Sequence, residues 1–260
     1  MGVAEIIVLI IAGIFVGFIN TLAGGGSVIT LSLLIILGLP ANVANGTNRI
    51  SIFFQTLSSV GSFSKQKMFK TKKIFWLAIP ATLGSILGAF AAIDVDVKVI
   101  EKAIAAAMVV MVFFLIYKPQ KWLKENPLLL LEKLKWWHFL IFFAVGFYGG
   151  FIQVGVGYLL LISLVLGVGL DLVKANAAKN LIVFLYAIFA LAVFLIDGQV
   201  NYLYGLILSI GSVTGALLAS WLAVKKGAEF IRWVIVLSVV LTLLQVTGLV
   251  NFTHILRSVI

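Results

Sequence analysis

The residues of this sequence that could do chemistry are polar side chains and glycines embedded in long apolar stretches. The first group surrounds three consecutive glycines and consists of Asn20, Gly24, Gly25, Gly26 and Ser27. Glycines of this kind break a helix, and a helix that restarts at Ser27 points unpaired backbone N–H groups and its positive dipole end toward the break. Two such ends facing each other would form an anion site.

A second glycine group stands at an equivalent place later in the chain. Gln153 precedes Gly155 and Gly157, and we expect the next helix to start at Tyr158. Small residues in membrane helices also allow close packing, so each group has two interpretations. Three consecutive glycines exceed what a packing face needs and favour a site. For Gly155 and Gly157 the two interpretations are equally open.

Each half of the chain also carries one basic residue near the start of an apolar helix, Arg49 in the first half and Lys179 in the second. A charge at the centre of a membrane span costs roughly 2.5–3.5 kcal/mol on insertion, so it usually has a functional partner. A long side chain near a helix end can instead reach the interface. The symmetric pair favours function, and the planar donor fork of Arg49 suits an oxyanion. Polar neighbours accompany the pair and complete the candidate site, namely Asn45, Thr47, Asn48 and Asn176.

Carboxylates are predicted to lie only in loops or near the ends of spans. Proton relays and cation pathways usually need a carboxylate at mid-membrane, so the pattern favours an anion as substrate. The apolar spans contain no Ser–His pair, paired aspartates or metal-ligand cluster, which argues against an enzyme and against a cofactor. The nine acidic residues are Glu5, Asp94, Asp96, Glu101, Glu125, Glu132, Asp171, Asp197 and Glu229.

The composition places these residues in a membrane protein. Hydrophobic residues make up 63% of the 260 residues and charged residues only 11%, against roughly 25% charged in soluble chains. The net charge of +10 lies in short loops between apolar runs, where it sets topology and does not indicate nucleic-acid binding. We predict an all-α polytopic fold with about eight full spans. The apolar runs are 4–22, 43–64, 74–93, 97–117, 136–153, 174–196, 201–224 and 230–250, with shorter ones at 27–39 and 157–170.

The chain repeats itself with one small insertion. Gly17 and Gly146 open matching segments 129 residues apart (146 − 17 = 129), and each glycine-broken helix or hairpin follows at a similar distance. The predicted organisation is a first transmembrane repeat at 1–117, a cytoplasmic linker at 118–135 and a second repeat at 136–260.

Basic residues orient the two repeats. Lysines concentrate at 65–73, 118–135 and 225–226, which should be cytoplasmic, whereas 197–201 has no lysine or arginine and should lie outside. Both chain termini are then extracytoplasmic and the two repeats are inverted. Inverted repeats with broken helices at matching points are typical of secondary transporters. The sequence leaves open whether 27–39 and 157–170 cross the membrane or turn back.

Three segments carry a family resemblance: Gly17–Thr30 (GFINTLAGGGSVIT), Ala44–Arg49 (ANGTNR) and Gly146–Gly157 (GFYGGFIQVGVG). They resemble the TauE/SafE sulfite exporter family of bacterial inner-membrane transporters. The resemblance covers nearly the whole chain and is most specific in the first segment. It implies a glycine-loop role for the two glycine groups and a polar helix-start role for Thr47, Asn48, Arg49 and Lys179.

The residues and the resemblance together lead to one functional expectation. We expect a secondary transporter in the cell inner membrane that moves small anions, such as sulfite, a sulfonate or a related organosulfur acid, by alternating access. An anion channel and a transporter of a non-sulfur organic anion are the alternatives. The expected partners are the anion and the lipid bilayer, and a homodimer is left open.

Overall fold

A computed structural model of the chain describes residues 2–69, 71–93 and 123–246, with side chains as far as residue 240. Every regular element in these ranges is helical, as the sequence predicts. A π-helical stretch, Ser163–Val168, continues α7, and Gly227 interrupts α9 with φ 79°. The helices are α1 Val3–Leu22, α2 Ser27–Ile36, α3 Ala41–Lys65, α4 Lys73–Ala92, α5 Pro127–Leu131, α6 Trp136–Phe151, α7 Val156–Ile162, α8 Leu172–Ile196 and α9 Tyr202–Val246.

The predicted apolar runs agree with these helices wherever the structure describes them. The run 97–117, the end of 230–250, and Asp94, Asp96 and Glu101 lie outside the described residues. The predicted start of α2 at Ser27 is confirmed. The predicted helix start at Tyr158 is wrong by two residues, because Gly155 takes a left-handed conformation (φ 74°) and α7 begins directly after it, at Val156.

The outer surface of the molecule is apolar, which suits lipid and not water. Large side chains such as Phe15, Trp76 and Ile210 are more than half exposed. Four of the described helices are long and apolar enough to cross a membrane: α1, α4, α8 and the Tyr202–Val240 part of α9. Shorter apolar helices, α2, α6 and α7 with its π-helical extension, lie between them. The chain is therefore a multi-pass helical membrane protein.

The described helices pack as two bundles. The first bundle consists of α1, α2, α3 and the part of α9 before Gly227; the second consists of α4, α6, α7 and α8. The most extensive contacts are between α1 and α9 in the first bundle and between α4 and α6 in the second. Each bundle thus takes its fourth helix from the other half of the chain, so the two halves interlock.

Glycines allow these helix pairs to touch backbone to backbone. The motif Gly84-Ser85-x-x-Gly88 in α4 lies against α6, and Gly211-Ser212-x-x-Gly215 in α9 lies against α1. A Cβ atom added at Gly17 would collide with the backbone of Ser212, and one added at Gly150 with the backbone of Ser85. Such close approach replaces the hydrophobic effect as the source of helix association within lipid.

The described part of the linker is tied to the second bundle. Lys73 Nζ donates hydrogen bonds to the backbone oxygens of Leu130 (2.7 Å) and Glu132, at the end of α5. Lys174 at the start of α8 forms an ion pair with Glu125 at 2.6 Å. These contacts hold α5 against the end of α4 and the start of α8.

Enlarging a contact glycine should loosen the corresponding bundle. We expect Gly17→Ala and Gly150→Ala each to lower the stability of the detergent-solubilised protein by about 1–3 kcal/mol, because the added methyl group must displace backbone. The unfolding temperature, followed by circular dichroism, measures this change.

Gly61→Ala is the matched control, because Gly61 lies within α3 and a Cβ there meets nothing within 4 Å. Alanine is the better helix former by about 1 kcal/mol, so the control should be neutral or stabilising. Equal unfolding temperatures for all three variants would contradict backbone-to-backbone packing.

Candidate functional site

The two helix breaks meet at the boundary between the bundles. Gly24, with φ 101°, follows α1 in the first bundle, and Gly157 lies in the first turn of α7 in the second. A Cβ atom added to either glycine would collide with the Cα of the other. The chain therefore brings together the two glycine groups that the sequence predicts as a site.

Lys179 holds the carbonyl end of the first broken helix. Its Nζ donates to the backbone oxygens of Asn20 (2.9 Å) and Thr21 (2.7 Å), in the last turn of α1, and to Asn176 Oδ1 (2.8 Å). Carbonyls in a last helical turn lack partners within the helix and carry its negative dipole end. An ammonium group has three donors, and all three of Lys179 are used here.

Arg49 holds the carbonyl end of the other broken helix in the same manner. Nη1 donates to the oxygen of Gly149 (2.6 Å) and to Gln153 Oε1 (3.1 Å). Nη2 donates to the oxygen of Gly150 (2.7 Å) and to Asn45 Oδ1 (3.4 Å). Both glycines belong to the last turn of α6, so the planar guanidinium spans two adjacent carbonyls.

These two contacts occupy equivalent positions in the two halves. Gly149 and Gly150 follow Asn20 and Thr21 by the repeat offset of 129 residues (149 − 20 = 129; 150 − 21 = 129). Each cation also crosses between the bundles: Arg49 on α3 reaches α6, and Lys179 on α8 reaches α1.

The centre of the molecule has a positive electrostatic balance. Arg49 is 0% exposed and Lys179 is 2% exposed, so the alternative in which they extend to the interface is wrong. No aspartate or glutamate is buried among the side chains that the structure describes. Two helix C-termini contribute about −0.5 charge each, which leaves about one positive charge uncompensated.

A small cavity lies between the bundles beside the two breaks. Its open volume, measured with a water-sized sphere, is about 20 Å³, room for about one water molecule. Each bundle contributes six lining residues. They are Asn20, Gly24, Ser27, Ile52, Gln55 and Thr56 from the first bundle, and Gln153, Val156, Gly157, Lys179, Asn180 and Val183 from the second.

Six of the thirteen predicted site residues line this cavity, and the others surround it. The lining residues among them are Asn20, Gly24, Ser27, Gln153, Gly157 and Lys179. The surrounding ones are Gly25, Gly26, Asn45, Thr47, Asn48, Arg49, Gly155 and Asn176, of which Asn45 belongs to the wider polar cluster.

Several of these residues shape the breaks. Asn20 Oδ1 accepts a hydrogen bond from the Gly26 N–H (2.8 Å), and its Nδ2 donates to Ser27 Oγ (3.2 Å), which fixes the turn between α1 and α2. Gly25 leaves room for the ring of Tyr158. Gln153 has φ 66°, a strained value for a residue with a side chain, and such strain concentrates at functional sites.

Two predicted residues serve neighbouring elements. Thr47 Oγ1 accepts a hydrogen bond from the backbone N–H of Asn201 (2.9 Å), next to the start of α9. Asn48 Oδ1 accepts one from Thr30 Oγ1 (2.9 Å) and so joins α2 to α3. Both contacts hold the first broken helix in place.

Sequence reasoning missed Gln55, Thr56 and Asn180 as cavity residues. Gln55 stands seven residues after Asn48, so the two lie on one face of α3, and this spacing could have pointed to it. Within the described ranges no cluster of three histidine, aspartate or glutamate residues could hold a metal ion.

Comparison with known proteins agrees with this architecture. The family model described as "Sulfite exporter TauE/SafE" matches residues 9–246. A "Probable membrane transporter protein" of Haemophilus influenzae is 28% identical over 93% of this chain and 94% of its own length. "Probable membrane transporter protein YfcA" of Escherichia coli is 26% identical, over 88% of this chain and 85% of its own.

A third relative, "Probable membrane transporter protein ORF9" of Sinorhizobium sp, is 28% identical over 96% of this chain and 94% of its own length. No solved structure matches the chain. The family model covers both broken helices, both buried cations and the cavity between them. The chain therefore belongs to the TauE/SafE sulfite exporter family of membrane transporters.

Proposed function

We propose that this protein is a secondary transporter of small anions, sulfur oxyanions such as sulfite or a small sulfonate among them, across the cytoplasmic membrane. One observation carries the proposal. Two broken helices meet at a cavity beside two buried cations, and no buried carboxylate occurs among the described side chains.

The charge balance supports an anion as substrate. A cation entering the cavity would meet Lys179 in its wall and Arg49 behind Gln153. An anion would gain from both charges in an interior of low dielectric constant, where Coulomb energies exceed those in water several-fold. The description of the family supports a sulfur oxyanion as the first candidate.

The position of the cavity supports alternating access. Its walls come equally from the two bundles, so a rocking motion of one bundle against the other would open it to one side of the membrane and then to the other. With room for about one water molecule, the cavity must widen before an oxyanion can enter. The cations that cross between the bundles would then be stressed or released during the motion.

We further propose that the two halves are inverted in the membrane, with both termini extracytoplasmic. The interlocked exchange of α4 and α9 between the bundles and the equivalent positions of Arg49 and Lys179 support a twofold relation. The lysines at 65–73 and 225–226 support a cytoplasmic location for the ends of α3 and of the first part of α9.

Removing either buried charge should reduce transport. We expect Arg49→Gln and Lys179→Met each to lower sulfite flux into proteoliposomes at least tenfold, because the site loses its positive field and a helix end loses its partner. Uptake of radiolabelled sulfite measures this. Arg49→Lys, which keeps the charge and loses the fork, should retain part of the flux.

Lys226→Gln is the control, because it removes an exposed charge of the same sign. Its flux should equal that of the wild type. Undiminished flux in both charge-removing variants would rule out an electrostatic role for the pair, and unitary currents through the wild type would indicate a channel instead.

Orientation can be tested directly because the chain has no cysteine. We expect Asp197→Cys, at the end of α8, to react with a membrane-impermeant maleimide added outside intact cells. Lys67→Cys, after α3, should react only once the inner face is exposed, because both assignments follow from the lysine distribution. The opposite pattern at both sites would reverse the topology, and the same side for both would refute inversion.

A further inference from the structure

The polar groups that line the central cavity differ in whether protein already satisfies them. The amide of Asn20 bonds to Gly26 and Ser27, and the ammonium of Lys179 has three acceptors. The amide of Asn180 donates to the Thr21 oxygen and accepts from Ser59. These three side chains have no capacity left for a strong contact with a ligand.

Gln55 is different. It is 2% exposed and lines the cavity, yet neither atom of its amide has a hydrogen-bond partner among the described residues, and its Oε1 is fully enclosed. Buried side-chain amides are nearly always satisfied, so an orphan of this kind calls for an explanation. Rotation of the amide by 180° exchanges its oxygen and nitrogen, so an N–H donor can face the cavity.

Gln153 offers a second donor from the opposite wall. Both of its hydrogen bonds, from Arg49 and from Tyr186, end on Oε1. Its Nε2 has no partner among the described residues, and the residue lines the cavity. The two bonds fix the orientation of the amide, because only an oxygen can accept from both a guanidinium and a hydroxyl group.

We infer that Gln55 and the Nε2 group of Gln153 bind the transported anion directly, while Arg49 and Lys179 act on it through their field. This inference rests on the proposed function and deepens it. Two neutral amide donors from opposite bundles grip the anion, and the saturated cations behind them supply the attraction. Binding of this kind is strong enough for entry and weak enough for release, which transport requires.

The assignment predicts that stability and affinity move in opposite directions. Gln55→Met keeps the approximate length of the side chain and removes its hydrogen-bonding groups. Because the native amide is unpaired, its loss should leave the protein as stable as the wild type or more stable. The same change should raise the KM for sulfite uptake about tenfold or more, the value of one hydrogen bond to a charged group.

The experiment measures uptake of radiolabelled sulfite, methanesulfonate, acetate and phosphate into proteoliposomes, with the unfolding temperature of each variant. Gln66→Met is the matched control, since Gln66 directly follows α3 and bonds to Ser62 outside the cavity. Its KM should be unchanged. Gln55→Glu places a negative charge in the same volume and should weaken uptake more than Gln55→Met.

A KM for Gln55→Met within twofold of the wild type would overturn the inference, and so would parallel losses of stability and affinity, which would mark a structural role. Wild-type protein that takes up none of the four anions would refute the proposed function, and the inference with it. The two failures are distinguishable, because the first appears only in the variant and the second already in the wild type.

Discussion

The structure depends on the satisfaction of two carbonyl ends in the interior of the protein. α1 and α6 both stop at the boundary between the bundles, where no water is at hand to accept the role of the missing helical donors. Lys179 and Arg49 fill that role from the opposite bundle. The glycine breaks therefore require buried cations, and the cations make the cavity beside the breaks positive. Anion selectivity follows from the way the broken helices are completed.

The two halves are equivalent in framework and different in lining. Cations, carbonyl ends and glycine contacts recur at the repeat offset, but the two unpaired glutamine amides do not. Gln55 corresponds to Leu185 (55 + 130 = 185), and Gln153 corresponds to Gly24 (153 − 129 = 24). Each bundle still supplies one amide to the cavity. A symmetric frame for the motion with an asymmetric binding surface is suited to an asymmetric ligand.

Much of the framework could be predicted from the sequence, because apolar periodicity and the glycine groups are local signals. The start of α2 and the pairing of Arg49 with Lys179 across the repeat were within reach. Their partners were not, since backbone carbonyls at helix ends carry no mark in a sequence. The exchange of α4 and α9 between bundles is equally non-local, although the two Gly-Ser-x-x-Gly motifs record it. Gln55 was missed because a glutamine in a polar helix attracts attention only when its surroundings are known to be dry.

The central claim is that a bound anion crosses the membrane at the cavity between the two bundles. Thr56 lines this cavity, so Thr56→Cys introduces a single thiol there into a chain without cysteines. The decisive measurement is its rate of modification by a membrane-impermeant methanethiosulfonate added to either side of oriented vesicles. The account predicts reaction from both sides, slowed from each by sulfite. A thiol that reacts from one side only, or at a rate that no anion changes, would contradict it.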